Sequence, residues 1–184
     1  MTLEEMKIKV YSLIEEYNEN ADNLTDDEDL SAKINSVINQ IQNELARIKK
    51  ISAYKTIDVK KDDEMTLKSI DSSLYQLNLI RGVEYTTIQD RVIFGEDGTA
   101  KIYYYKYPKQ INDETEDDYK FELSTDLLEI MPYGVAGDLL KSDVSNQYGQ
   151  IYSARYRELL NELDPRYGMG TIEFSGGFDI WLSK

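Results

Sequence analysis

The chain has no cysteine and no histidine, and its 184 residues include only three prolines and one tryptophan. Without cysteine there is no disulfide framework, thiol nucleophile, thiolate zinc site or iron–sulfur cluster. Without histidine there is no Ser-His-Asp or Cys-His pair and no imidazole metal ligand. Long apolar runs are missing too: none approaches the roughly 18 residues that a membrane span needs. Met1-Thr2-Leu3-Glu4-Glu5 lacks the basic-then-apolar order of a signal peptide. These absences predict a protein made and kept in a cytoplasm, with no membrane partner. Basic residues are scarce, 21 Lys+Arg against 35 Asp+Glu, leaving a formal charge of −14. Such a field repels phosphates, so binding to nucleic acid by counterion release is not expected.

The acidity is concentrated. Residues 15–29 hold eight acids and no base, and residues 109–129 hold eight acids against Lys109 and Lys120, so the rest of the chain is neutral. Blocks of this kind face solvent or sit in loops. The hydrophobic share of 41% places the chain among globular proteins rather than disordered ones, and its length allows a packed core.

Thr2 and Glu5 form a capping box, followed by Leu3, Met6, Val10, Leu13, Ile14 and Tyr17 at three-four spacing, which predicts a helix near 2–20. Leu30, Ile34, Val37, Ile38, Ile41, Leu45 and Ile48 make one stripe of a second helix near 29–49. Asp26 to Asp29 suit the positive end of its dipole, and Lys49 and Lys50 the negative end. From Ile51 the helical period gives way to short β-branched and aromatic runs. Lys55–Val59, Leu74–Leu79, Val83–Thr87, Arg91–Phe94 and Thr99–Tyr107 read as strands. Gly95-Glu96-Asp97-Gly98 reads as the turn of a hairpin joining the last two, and Pro108 ends the series.

Helical spacing returns at Leu127, Leu128, Met131, Val135, Leu139 and Leu140, predicting a helix near 126–142 capped by Ser124 or Thr125. Pro132 within it predicts a kink or a new helix start. Val144, Tyr148, Ile151, Tyr152, Tyr156, Leu159, Leu160 and Leu163 give a fourth helix near 144–163, stopped by Asp164-Pro165. Residues 164–184 hold four glycines and several large apolar residues without helical period. The expected fold is therefore α+β. A four-helix bundle (1–50 and 124–163) carries an inserted small antiparallel β-module (51–111), an acidic linker (112–123) and an extended C-terminal arm (164–184).

Motifs with chemical content are few. Asn18, Asn20, Asp22, Asp26 and Asp29 fall at positions one, three, five, nine and twelve of a calcium-loop frame, but Asn23 replaces its turn glycine, Asp29 its bidentate glutamate and Asn18 its first aspartate. A solvated loop with helix-capping acids is the preferred reading, and no metal site is expected. Asp62-Asp63 and Asp117-Asp118 resemble a hydrolase carboxylate pair only as any neighbours do among 35 acids, so no catalytic residue is expected. Gly168-Met169-Gly170 and Gly176-Gly177 lack the spacing of a phosphate loop, and no cofactor is expected. Tyr103, Tyr105 and Tyr107 fall on one side of a strand and Tyr104 on the other. A β-core with one wetter face accounts for them; a ring or ligand contact surface is the functional alternative.

Leu128-Glu129-Ile130-Met131-Pro132-Tyr133-Gly134-Val135-Ala136-Gly137-Asp138-Leu139-Leu140-Lys141-Ser142-Asp143, followed by Tyr148-Gly149-Gln150-Ile151-Tyr152 and Arg155-Tyr156, resembles the C-terminal helix pair of head–tail connector proteins of tailed bacteriophages, also called adaptor or head-completion proteins. Lys101 to Pro108 is similar to the strand that precedes that pair, and Leu163-Asp164-Pro165-Arg166-Tyr167 is similar to its ending. The resemblance covers about half the chain and rests on packing patterns, not catalytic signatures. It implies a non-enzymatic virion neck protein that forms a homo-oligomeric ring of about twelve subunits. Its partners would be the portal protein, a downstream neck or tail protein, and DNA sliding through the channel without specific binding. It also implies that the arm reaches the portal, with Pro165, Arg166, Tyr167, Phe174, Phe178 and Trp181 as contact residues. A different neck protein, such as a stopper or tail-completion protein, belongs to the same class. A calcium-responsive binding protein and a carboxylate-based hydrolase are the alternatives outside it.

Overall fold

The computed structural model describes residues 1–15, 28–142 and 147–163. Among these, helices α1 (Leu3–Glu15), α2 (Glu28–Ile48), α4 (Thr125–Leu139) and α5 (Gln147–Glu162) build one core, and six strands with the short helix α3 (Leu67–Ile70) build another. The acidic segment 15–29, with its calcium-loop pattern, falls outside the described residues except at its ends, and so does the whole arm 164–184. Among the described residues no helix is long and apolar enough to cross a membrane.

The architecture corrects the expected four-helix bundle with a small β-module. It is an α+β fold with five helices and two three-stranded antiparallel sheets among the described residues. Two physical facts overturn the bundle. First, α4 is apolar around nearly its whole circumference, with Leu127, Leu128, Ile130, Met131, Val135, Ala136 and Leu139 all buried. A helix of that kind sits at the centre of a core rather than presenting one stripe to it. It packs against α1, α2 and α5. Second, the strands bury Val92, Phe94, Ala100 and Ile102 completely, so they form a substantial body with its own interior.

The start of α1 obeys the sequence rules, whereas Ser124, the expected cap of α4, stands at its N-cap without a side-chain capping bond. The Thr2 amide donates to Glu5 Oε2 at 2.9 Å and the Glu5 amide to Thr2 Oγ1 at 3.2 Å, a reciprocal capping box. The next orphan amides, of Leu3 and Glu4, donate to the carbonyls of Tyr119 and Asp117. The acidic segment thereby closes the end of α1, while its Phe121 and Leu123 enter the helical core. On α2 the predicted stripe Ile34, Ile38, Ile41 and Leu45 is buried. Its polar Asn39 and Gln42 hold the run 109–111: Asn39 exchanges two hydrogen bonds with the Ile111 backbone and Gln42 donates to the Lys109 carbonyl. Pro132 starts no new helix; α4 runs through it from Thr125 to Leu139 and tightens to a 3₁₀ turn only at Leu140–Ser142. The α5 stripe is narrower than its sequence suggests. Gly149, Tyr152 and Tyr156 are buried, whereas Tyr148 and Ile151 are exposed.

In the β-body, β1 (Ile51–Val59), β3 (Leu74–Arg81) and β6 (Gly98–Lys106) form one sheet in the order β1-β6-β3. The strands β2 (Glu64–Thr66), β4 (Tyr85–Ile88) and β5 (Arg91–Phe94) form the other, in the order β2-β5-β4. The expected hairpin across Gly95–Gly98 does not form, because β5 and β6 belong to different sheets. The turn residues find other partners. Glu96 accepts from the Glu84 amide, Asp97 accepts from the Lys61 amide, and the Gly95 amide donates to the Glu84 carbonyl. The hairpin is instead β4–β5, turned at Gln89 with φ of 56°. Gly82, with φ of 97°, lies so close to the Thr99 carbonyl that a Cβ would stand 2.4 Å from its oxygen.

Candidate functional site

β6 is the central strand of the first sheet, and alternation divides its residues. Ala100, Ile102 and Tyr104 are buried in the β-core, while Lys101, Tyr103 and Tyr105 occupy the opposite, partly solvent-facing side. Register then adds neighbours. Tyr54 of β1 lies opposite Tyr103, Ser52 opposite Tyr105 and Thr56 opposite Lys101. From β3, Gln76 lies beside Tyr105 and Arg81 beside Lys101.

Cations stack on these rings. Lys101 Nζ lies 4.4 Å from the Tyr54 ring centroid and 5.3 Å from that of Tyr103. The Arg81 guanidinium is 5.8 Å from Tyr103. Two further bases come from the end of α2 and the turn after it: Lys50 Nζ sits 4.6 Å over Tyr105 and the Arg47 guanidinium 5.4 Å over Tyr107. Such contacts favour a cation by about 0.5–1 kcal/mol each at exposed positions. Polar bonds fix the helix end to the sheet. Tyr75 donates to the Ala46 carbonyl, Arg47 Nε donates to the Tyr107 hydroxyl, and Lys50 donates to Gln76. The Tyr75 and Tyr107 rings pack 4.6 Å apart.

The resulting face has a charge unlike the rest of the chain. Its outward strand positions carry one acid, Asp58, which accepts from the Thr99 hydroxyl. Arg47, Lys50, Arg81 and Lys101 pair with no carboxylate among the described residues. In a chain with 35 acids, four bases without a carboxylate on one face leave it locally positive. A depression of about 430 Å³ lined by Asp71, Ser73, Lys106 and Lys109 adjoins the Tyr107 end.

Beneath the face, Tyr104 points into the β-core and donates to Asp71 Oδ2 at 2.7 Å. Burial acts to raise the Asp71 carboxyl. The hydrogen bonds from Ser73 and Tyr104, with the Lys106 charge, outweigh it and hold the group below its ordinary 3.8. Burial, with Asp71 behind the hydroxyl, pushes Tyr104 up to about 12. The stability that Tyr104 contributes is therefore complete below its ordinary 10 and lost as the pH rises through about 12. Asp71 works in the opposite sense: its contribution is complete above 3.8 and lost as the pH falls through its lowered value. Denaturant unfolding at a series of alkaline pH values should show the wild type losing stability more steeply than Tyr104→Phe in that window. Parallel curves would remove the assignment.

The sequence singled out Tyr103, Tyr104, Tyr105 and Tyr107, and the structure divides them between faces as alternation requires. It did not bring in Tyr54, Tyr75, Arg47, Lys50 or Arg81, which strand register and the α2 end supply. The arm residues Pro165, Arg166, Tyr167, Phe174, Phe178 and Trp181 lie outside the described residues. Asp62 and Asp63 form a turn, Asp62 with φ of 66° and Asp63 accepting from the Lys60 amide. Asp117 and Asp118 lie on the exposed segment that closes α1. Among the described residues no three acidic side chains converge to hold a metal ion. Comparison with known protein families gives no match, and comparison with curated proteins gives none either.

Proposed function

We propose that the chain is a ring-forming adaptor of a bacteriophage neck, which binds the portal, extends the DNA channel and docks the next neck or tail protein. The role is structural rather than catalytic. The observation that carries this reading is the way the resembling segment folds. Leu128 to Leu139 and Tyr148 to Tyr156 lie on α4 and α5, which pack as a tight helical hairpin. Its glycines sit at the contacts: Gly134 faces the Tyr156 ring, Gly137 faces Ser153 and Gly149 faces Leu140. The residues of the resemblance are thus the residues of one packing unit. The acidity fits a channel through which DNA must pass without adhering. The arm 164–184 is assigned to the portal through its aromatic residues, since aromatic anchors dominate most protein interfaces.

Native mass spectrometry and negative-stain imaging of the chain, alone and with portal-bearing heads, test this. The expected result is a closed ring of about twelve copies seated on the portal. A chain that associates neither with itself nor with the portal overturns the reading. Removing residues 165–184 should preserve the helical circular dichroism signal while abolishing attachment to heads. Attachment at normal strength would move the contact to the helical surface.

A further inference from the structure

The geometry points to the tyrosine–cation face of the β1-β6-β3 sheet as the site that receives the acidic segment 112–118 of a second copy of this chain. The inference rests on the ring reading and adds to it the two surfaces that meet.

Charge complementarity carries the assignment. The face presents Lys50, Arg81 and Lys101 on tyrosine rings, with no carboxylate paired to any of them among the described residues. On the same chain, Asp113, Glu114, Glu116, Asp117 and Asp118 are all exposed within six residues. Among the described residues, two of these side chains have partners, Asp113 with Asn35 and Asp117 with Lys7. Tyrosine hydroxyls add donors for carboxylate oxygens, and the ring edges give an apolar floor.

The segment does not reach its own sheet. Backbone bonds from Leu3 and Glu4 hold it against the start of α1, and Asp113 is tied to Asn35 on α2. The face begins near Arg47, further along the same helix by roughly 18 Å at 1.5 Å per residue. Two different complementary surfaces held apart on one chain satisfy each other in a head-to-tail contact. A contact of that kind closes into a ring when its rotation permits.

Nucleic acid is the competing occupant, because stacked aromatic rings with cations also suit single-stranded bases. The net charge of −14 disfavours it, while a second copy supplies the acids in a fixed local cluster.

A charge exchange tests the inference. One variant reverses the face (Arg81→Glu with Lys101→Glu); another reverses the segment (Glu114→Lys, Glu116→Lys and Asp118→Lys). Self-association of each is measured by sedimentation velocity, alone and with portal-bearing heads. Each variant alone should associate more than about tenfold more weakly than wild type, because like charges then face each other. An equimolar mixture should recover association, since each reversed surface finds its complement on the other variant. That recovery also shows both variants to be folded. Association of wild type should weaken as salt rises. Single variants that assemble as wild type does, or a mixture that fails to recover, overturn the inference and leave the ring reading standing. A wild-type chain that never assembles overturns both. Tight binding of a mixed-sequence single-stranded oligonucleotide, lost in the face variant, would make the face a nucleic-acid platform and overturn it as well.

Discussion

Replacing Gly137 by leucine is expected to drive α5 away from α4 and to destabilise the protein by about 3 kcal/mol or more. A Cβ at this position would stand 2.7 Å from Ser153 Oγ, 3.0 Å from its amide nitrogen and 3.3 Å from its Cα. The hydroxyl can rotate away, but the backbone of α5 cannot move without opening the hairpin. The alanine variant makes the test sharp. In an unobstructed helix interior, glycine to alanine stabilises by about 1 kcal/mol. Here Gly137→Ala should instead destabilise, by about 1–3 kcal/mol, because the added methyl meets backbone. Denaturant unfolding gives the sign, and hydrogen exchange in α5 should accelerate ahead of that in α2. A stabilised alanine variant would show that the two helices do not approach so closely.

Phe94→Ala should be comparably severe, costing about 3–5 kcal/mol. Phe94 is fully buried on β5 and its ring helps fill the interior that the strands share with Ile102 and Tyr104. Its backbone also ties the turn before β2, donating to the Asp63 carbonyl and accepting from the Asp62 amide. Those bonds survive the substitution, so the loss measures the side chain alone. Because the strands and the helices have separate interiors, hydrogen exchange should quicken in residues 51–106 well before it does in α1 and α4. Equal acceleration throughout would mean that the two cores melt as one unit.

Much of the local structure was legible in the chain. The capping box at Thr2 and Glu5, the stripe of α2 and the opposed faces of Tyr103 and Tyr104 each follow from spacing, and spacing survives folding. The errors arose where a local pattern has more than one tertiary completion. The Gly95–Gly98 turn signals a change of direction, yet a turn does not name the strand's partner; the Glu84 carbonyl accepts the Gly95 amide, and the side chains of Glu96 and Asp97 accept from the Glu84 and Lys61 amides. Pro132 allows a kink or a new start; the surrounding core carries α4 through it without a new start. The strand β2 and the helix α3 are too short to register against background.

The candidate site divides in the same way. Sequence alone determined that this chain has no thiol or imidazole chemistry, that its acids gather in two blocks, and that Lys101, Tyr103 and Tyr105 share a side of one strand. Composition and a period of two residues suffice for that. Only the tertiary structure decided that Tyr54 and Arg81 join them, because antiparallel register between strands far apart in the chain is set by which faces the core can bury. It likewise decided that Arg47 and Lys50 arrive from the end of α2, and that the exposed acids of 113–118 are held at the opposite reach of the same helix. Charge counts along the chain sum to an acidic protein; among the described residues the fold sets a positive face apart from the acidic segment 113–118.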